Sequence, residues 1–148
     1  MYHKVTKRLP LIALWAICMC DIGATAQTVL VQFRNGHSGK PIGNGKLIHV
    51  IFVTGDVHHF LNLHTDAQGM VEFDAQGASE FKVNPVEYAP CDEPTSAATK
   101  NYSVAEVTND GLVTFNDCGQ LSPPPVPGRI IYFVKSQSRW DLLKKSPD

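Results

Sequence analysis

The sequence predicts an all-β chain, a single antiparallel β-sandwich of about seven or eight strands with a short C-terminal helix as an added element. Two observations point there. From Asn35 to Phe73, short apolar runs rich in Val, Ile, Leu and Phe are separated by breaks of Gly, Asn, Asp and Pro. Elsewhere the runs alternate apolar and polar residues at period two, the spacing of a strand with one buried face.

Taken in order, Met1 to Pro10 carries Lys4, Lys7 and Arg8, and Leu11 to Cys20 is continuously apolar before Ala24-Thr25-Ala26. That is the layout of a secretory signal peptide over residues 1–26, with cleavage expected after Ala26. Its apolar run falls short of the ~20 residues that span a bilayer, so no transmembrane helix is expected after cleavage. Ile17 and Met19 precede the two cysteines of this segment, where lipid attachment wants a small residue. The expected location is secreted or periplasmic.

Thr28 to Arg34 alternates Val29, Val31 and Phe33 with Leu30, Gln32 and Arg34 and makes a first strand. Gly36 to Gly45 must be a loop, because its glycines, Pro41 and Asn44 break any regular element. Lys46 to Thr54 and His58 to Thr65 read as two strands around Gly55-Asp56. Asp66 to Gly69 reads as an Asx-type turn leading into Met70 to Phe73.

Ser38 to Gly45, S-G-K-P-I-G-N-G, followed across two strands by Thr65 to Phe73, T-D-A-Q-G-M-V-E-F, resembles the carboxypeptidase regulatory-like domains of the transthyretin-like superfamily. Lys46 and Leu47 depart from the small residues usual at the start of the second strand, and Val71 stands where an aromatic is commoner. The resemblance covers roughly residues 28–83 and implies a transthyretin-like or Ig-like sandwich. One sandwich hosts many activities, so it implies little about chemistry. Two traits of the superfamily do not carry over. The chain ends K-K-S-P-D, not in the Y-R-G-S-type tail of the purine-pathway hydrolases. Arg129 to Val134 also lacks the Asn of a self-formed isopeptide bond.

Beyond Phe73, Glu80 to Val83 reads as a short strand, and Val86 to Lys100, rich in Pro, Thr, Ser and Ala, as a surface loop. Asn101 to Thr108 alternates like a strand, Asn109-Asp110-Gly111 like a hairpin turn, and Leu112 to Phe115 like its return strand. Pro123 to Gly128 is a stiff connector to a final strand, Arg129 to Val134. The domain is therefore expected over residues 27–135, with a tail at 136–148.

Cleavage would leave ten basic against thirteen acidic residues, and no basic run is interleaved with aromatics. Nucleic acid is not an expected partner. Cys91 and Cys118 would be the remaining cysteines, and an oxidising compartment makes a disulfide between them the expectation. They lack the C-x-x-C spacing of redox pairs.

His37, His49, His58, His59 and His64 cluster in sequence, but neighbours on a strand point to opposite faces and cannot share one ion. No metal and no cofactor is expected, and the histidines are read as solvated outer-face residues. No G-x-S-x-G, H-E-x-x-H or phosphate-cradling loop occurs, so no catalytic residue is assigned.

In the tail, Ser138-Arg139-Trp140-Asp141 resembles a helix start, and Trp140, Leu142 and Leu143 would form an apolar stripe. Either the tail docks Trp140 on the sandwich or these three residues meet a partner. The expectation is an exported, non-enzymatic binding or interaction module with a protein partner in the cell envelope or outside. A carbohydrate or small-ligand carrier using Phe60, Tyr88, Tyr102 and Trp140 is the alternative, and a hydrolase with an unrecognised site the remote one.

Overall fold

The computed structural model describes residues 27–75, 77–92 and 100–137. The expected leader at 1–26 and the tail residues Trp140, Leu142 and Leu143 lie outside them. The strands are β1 (Thr28–Asn35), β2 (Leu47–Thr54), β3 (Val57–His64), β4 (Met70–Asp74), β5 (Glu80–Pro85), β6 (Tyr88–Pro90), β7 (Tyr102–Ser103), β8 (Leu112–Val113) and β9 (Arg129–Ser136), with one helix, α1 (Val104–Asn109), between β7 and β8. They form two sheets packed face to face. One runs β4-β1-β9-β6, with β8 also on β9, and the other runs β3-β2-β5-β7.

The alternation read in the sequence sets the inner faces. Val29, Val31 and Phe33 of β1, Ile48, Val50 and Phe52 of β2, Val71 and Phe73 of β4 and Phe81 and Val83 of β5 all point into one core. A chain of rings crosses it at centroid spacings of 5.3 to 5.9 Å, from Phe52 through Phe73, Phe81, Tyr102 and Tyr132 to Phe33. Such stacked, tilted and edge-on pairs add to the burial of large apolar rings.

The turns are held as their residues dictate. Asp66 Oδ1 accepts from the Gln68 and Met70 backbone N–H groups at 2.8 Å each, the Asx turn expected there. Buried Thr65 ties this turn to the glycine-rich loop: its hydroxyl donates to the Gly43 carbonyl at 2.8 Å and accepts from Lys46 N–H at 3.0 Å.

Three readings of the second half are corrected. First, Asn101 to Thr108 is a two-residue strand followed by α1. Ser103 caps the helix by accepting from Glu106 N–H at 3.3 Å, and Val104 and Val107, three residues apart, are its buried face. Local capping outweighs the period-two pattern over so short a stretch. Second, Asn109-Asp110-Gly111 is the end of that helix and not a hairpin. Gly111, at φ +76°, donates to the carbonyls of Glu106 and Val107, a helix stop favoured by glycine. Third, the expected loop from Val86 contains β6, which pairs antiparallel with the end of β9.

The final strand is also more central than an antiparallel meander implies. β9 runs parallel to both β1 and β8. Ile130, Ile131, Tyr132, Phe133 and Val134 are all buried, so both of its faces are covered, as expected of a central parallel strand.

Candidate interaction face

The two sheets treat their outer faces differently. On β9 the outward residues Ile131 and Phe133 are buried beneath the segment that follows β8, in a small second core with Cys91, Cys118 and Val113. Cys91 and Cys118 form a disulfide with a Cα–Cα distance of 5.4 Å. Cys91 N–H donates to the Phe133 carbonyl, and Asn116 Nδ2 donates to the Gly36 and Leu121 carbonyls, so the covering segment is tied down at several points. The disulfide therefore holds a lid over one apolar face.

The outer face of β3-β2-β5-β7 has no such cover among the described residues. Its central row is Lys82, Ile51 and Phe60, which stand opposite one another across β5, β2 and β3. The next row pairs Val53 with His58, and the row on the other side holds Asn84, His49 and Asn62. Phe60 is 68% exposed and Val53 41%, while Ile51 and Leu47 are half-buried. The His58 imidazole leans on the Phe60 ring at 6.4 Å with an interplanar angle of 22°. This makes an exposed apolar stripe with polar margins.

Beside the stripe, a cleft of about 330 Å³ opens between Ile51, Val53, His58, Glu80, Lys82 and Asn101. Asn101 Nδ2 donates to Glu80 at 2.7 Å and closes its end. Phe52 and Phe81 reach the cleft only from below, both being core residues. Of the four rings expected as sugar platforms, Tyr102 is buried, Tyr88 is half-buried and Trp140 lies outside the described residues. Phe60 alone of these is exposed in the described chain.

The histidines divide as strand geometry requires, with one correction to the outer-face reading. His58 and His64 are exposed on the outer face, whereas His59 turns inward and stacks on Phe52 at 4.7 Å. Among the described residues, no three His, Cys, Asp or Glu side chains converge to hold a metal ion.

A second feature is invisible in the sequence. Asp92, read as part of a solvated loop, is only 8% exposed, and Tyr102 and Tyr132 are buried near it. Burial raises the Asp92 carboxyl above the ordinary carboxylate range, opposed by its own backbone N–H and by nearby Lys100, with Asp117 adding a little to the rise. Burial also lifts both phenols far above the usual tyrosine value, and the charge of Asp92 lifts them further. The Asp92 carboxylate has no side-chain hydrogen-bond partner among the described residues, while the Tyr102 and Tyr132 hydroxyls stand close enough to act on one another.

Comparison with known proteins adds no relative. No family model matches the chain, and no curated protein or solved structure is similar to it.

Proposed function

We propose that this chain is an exported, non-enzymatic protein-interaction module that uses the uncovered outer face of β3-β2-β5-β7 as its contact surface. The single observation that carries the reading is Phe60, a large ring 68% exposed at the end of the Lys82-Ile51-Phe60 row, on a face where the opposite sheet has its own covered. Exposed aromatics with apolar neighbours and a polar rim are the usual anchors of protein contacts.

Export is supported by the basic and apolar N-terminal segment together with the Cys91–Cys118 bridge, which belongs in an oxidising compartment. No helix among the described residues is long and apolar enough to cross a membrane. The likeness of Ser38 to Gly45 and Thr65 to Phe73 to carboxypeptidase regulatory-like domains agrees with a non-catalytic role, as such modules are commonly appended to exported proteins.

The test is crosslinking capture from the exported fraction of the host, with the wild-type chain, Phe60→Lys and Phe115→Lys compared. Phe115 is equally exposed but lies in the segment after β8. A protein captured by wild type and by Phe115→Lys but lost with Phe60→Lys supports the face. Equal capture by all three refutes it.

A further inference from the structure

The four sheet margins are not alike. β7 has two residues, β6 has three and ends in Pro90, and β4 has five with Glu72 and Asp74 among them. Short length, proline and charge are the ordinary means of keeping an edge from pairing. β3 has none of them. It is eight residues long, contains no Pro, Lys or Arg, and pairs with β2 without a bulge from Val57 to His64.

Among the described residues nothing pairs with the outer edge of β3, and the direction of the hydrogen-bonding groups on that edge follows from the ladder. Thr65 N–H donates to the Lys46 carbonyl, which continues the β2–β3 register by one pair. In an antiparallel ladder the bonded positions alternate. Leu63, Leu61, His59 and Val57 therefore bond toward β2, and His58, Phe60, Asn62 and His64 turn their N–H and C=O groups outward. These are the residues whose side chains lie on the uncovered face. Backbone edge and exposed stripe thus belong to one surface.

We infer that β3 pairs antiparallel with β3 of a second copy of this chain, about a two-fold axis at Phe60; this rests on the interaction reading above and names its partner. The alternation just described requires outward residues to face outward residues, which keeps both uncovered faces on the same side. Centring on Phe60 sets the two Phe60 rings opposite each other and places each His58 opposite Asn62 of the second copy. The apolar row then runs unbroken through Ile51, Phe60 and their symmetry mates, with Lys82 at either end.

Centring on Leu61 instead would oppose His58 to His64 and break the row with Asn62. Aromatic cross-strand pairs stabilise a ladder, and imidazoles facing each other do not once protonated. An edge pair of this length is a small interface, so the dimer forms at high concentration and dissociates on dilution.

The experiment is sedimentation velocity on the purified full chain over a concentration series reaching the millimolar range, with Phe60→Lys and Val53→Lys beside it. It is paired with mild oxidation of Phe60→Cys and Phe115→Cys variants. A bonded antiparallel pair brings its Cα atoms to about 5.5 Å, within disulfide reach. The expected result is a concentration-dependent dimer that Phe60→Lys abolishes and Val53→Lys retains. Phe60→Cys should crosslink to dimer several-fold more than Phe115→Cys. A monomer at every concentration with equal crosslinking of the two cysteine variants overturns the pairing, as does a dimer indifferent to Phe60→Lys. If the chain stays monomeric while Phe60→Lys still abolishes capture of a different protein, self-pairing fails and the interaction face stands.

Discussion

Gly36 lies against the disulfide so closely that a Cβ on it would stand 2.5 Å from the Cys91 Sγ and 2.7 Å from the Cys118 Cβ. Its carbonyl also accepts from Asn116 Nδ2 at 3.0 Å, and its N–H donates to the Val134 carbonyl at 2.9 Å. Neither the bridge nor the backbone can withdraw cheaply. Gly36→Ala is therefore expected to destabilise the fold by about 1–3 kcal/mol, the usual range for overpacking. Thermal unfolding, together with titration of accessible thiols, measures the loss and shows whether the bridge still closes.

Cutting the bridge should cost more than its own contacts suggest. Cys91 and Cys118 are 27 residues apart, and loop-closure entropy for a span of that size is worth roughly 3–4 kcal/mol. The lid over Ile131 and Phe133 loosens as well. The Cys91→Ser, Cys118→Ser pair should show a lower urea midpoint and stronger binding of an apolar dye. An unchanged midpoint would mean that the hydrogen bonds of Asn116 and Cys91 alone hold the lid.

The helix depends on one cap. Ser103→Ala removes the acceptor for Glu106 N–H and should destabilise the protein by about 1 kcal/mol, with Ser103→Asp restoring most of it. Urea unfolding of the two variants separates the cap from packing, because Val104 and Val107 are untouched.

The buried acid gives stability a pH dependence of known sign. The folded Asp92 carboxyl titrates above its unfolded value. As pH rises, the unfolded chain releases its proton first. Stability from this group is thus present below the ordinary carboxylate pKa and is lost as pH passes through the raised one. Asp92→Asn should be more stable than wild type at neutral pH, with the gap shrinking near pH 4, about the ordinary pKa of Asp. The raised phenols act in the same direction at high pH. Stability should fall above about pH 10, where unfolded tyrosines ionise and Tyr102 and Tyr132 do not. Melting temperatures of wild type and Asp92→Asn across this range read both effects.

Phe60→Lys should leave thermal stability within about 0.5 kcal/mol of wild type, since an exposed ring contributes little to the core. A large drop would mean that Phe60 serves packing rather than contact.

The residues by themselves determined the first half of this protein. Strong period-two alternation in β1, β4 and β5, glycines where the chain must turn, and Asp66 ahead of Gly69 are local signals, and each acts within a few residues of itself. The disulfide was legible for a different reason, since the two cysteines left after the expected cleavage have few alternatives in an exported chain. Ser103, three residues ahead of Glu106, is the local signal that would have named α1, and the alternation from Tyr102 to Val107 hides it in the sequence.

Tertiary structure alone decided the rest. Whether β9 lies at an edge or between β1 and β8 depends on pairings about a hundred residues apart in the first case, which no local pattern encodes. Asp92 became buried because β6 carries the chain onto β9, and Phe60 became exposed because its pairing with Ile51 sets it on the uncovered face. A Phe in an apolar run looks the same in sequence on either face of a strand. Only the register with β2 turns this one toward solvent.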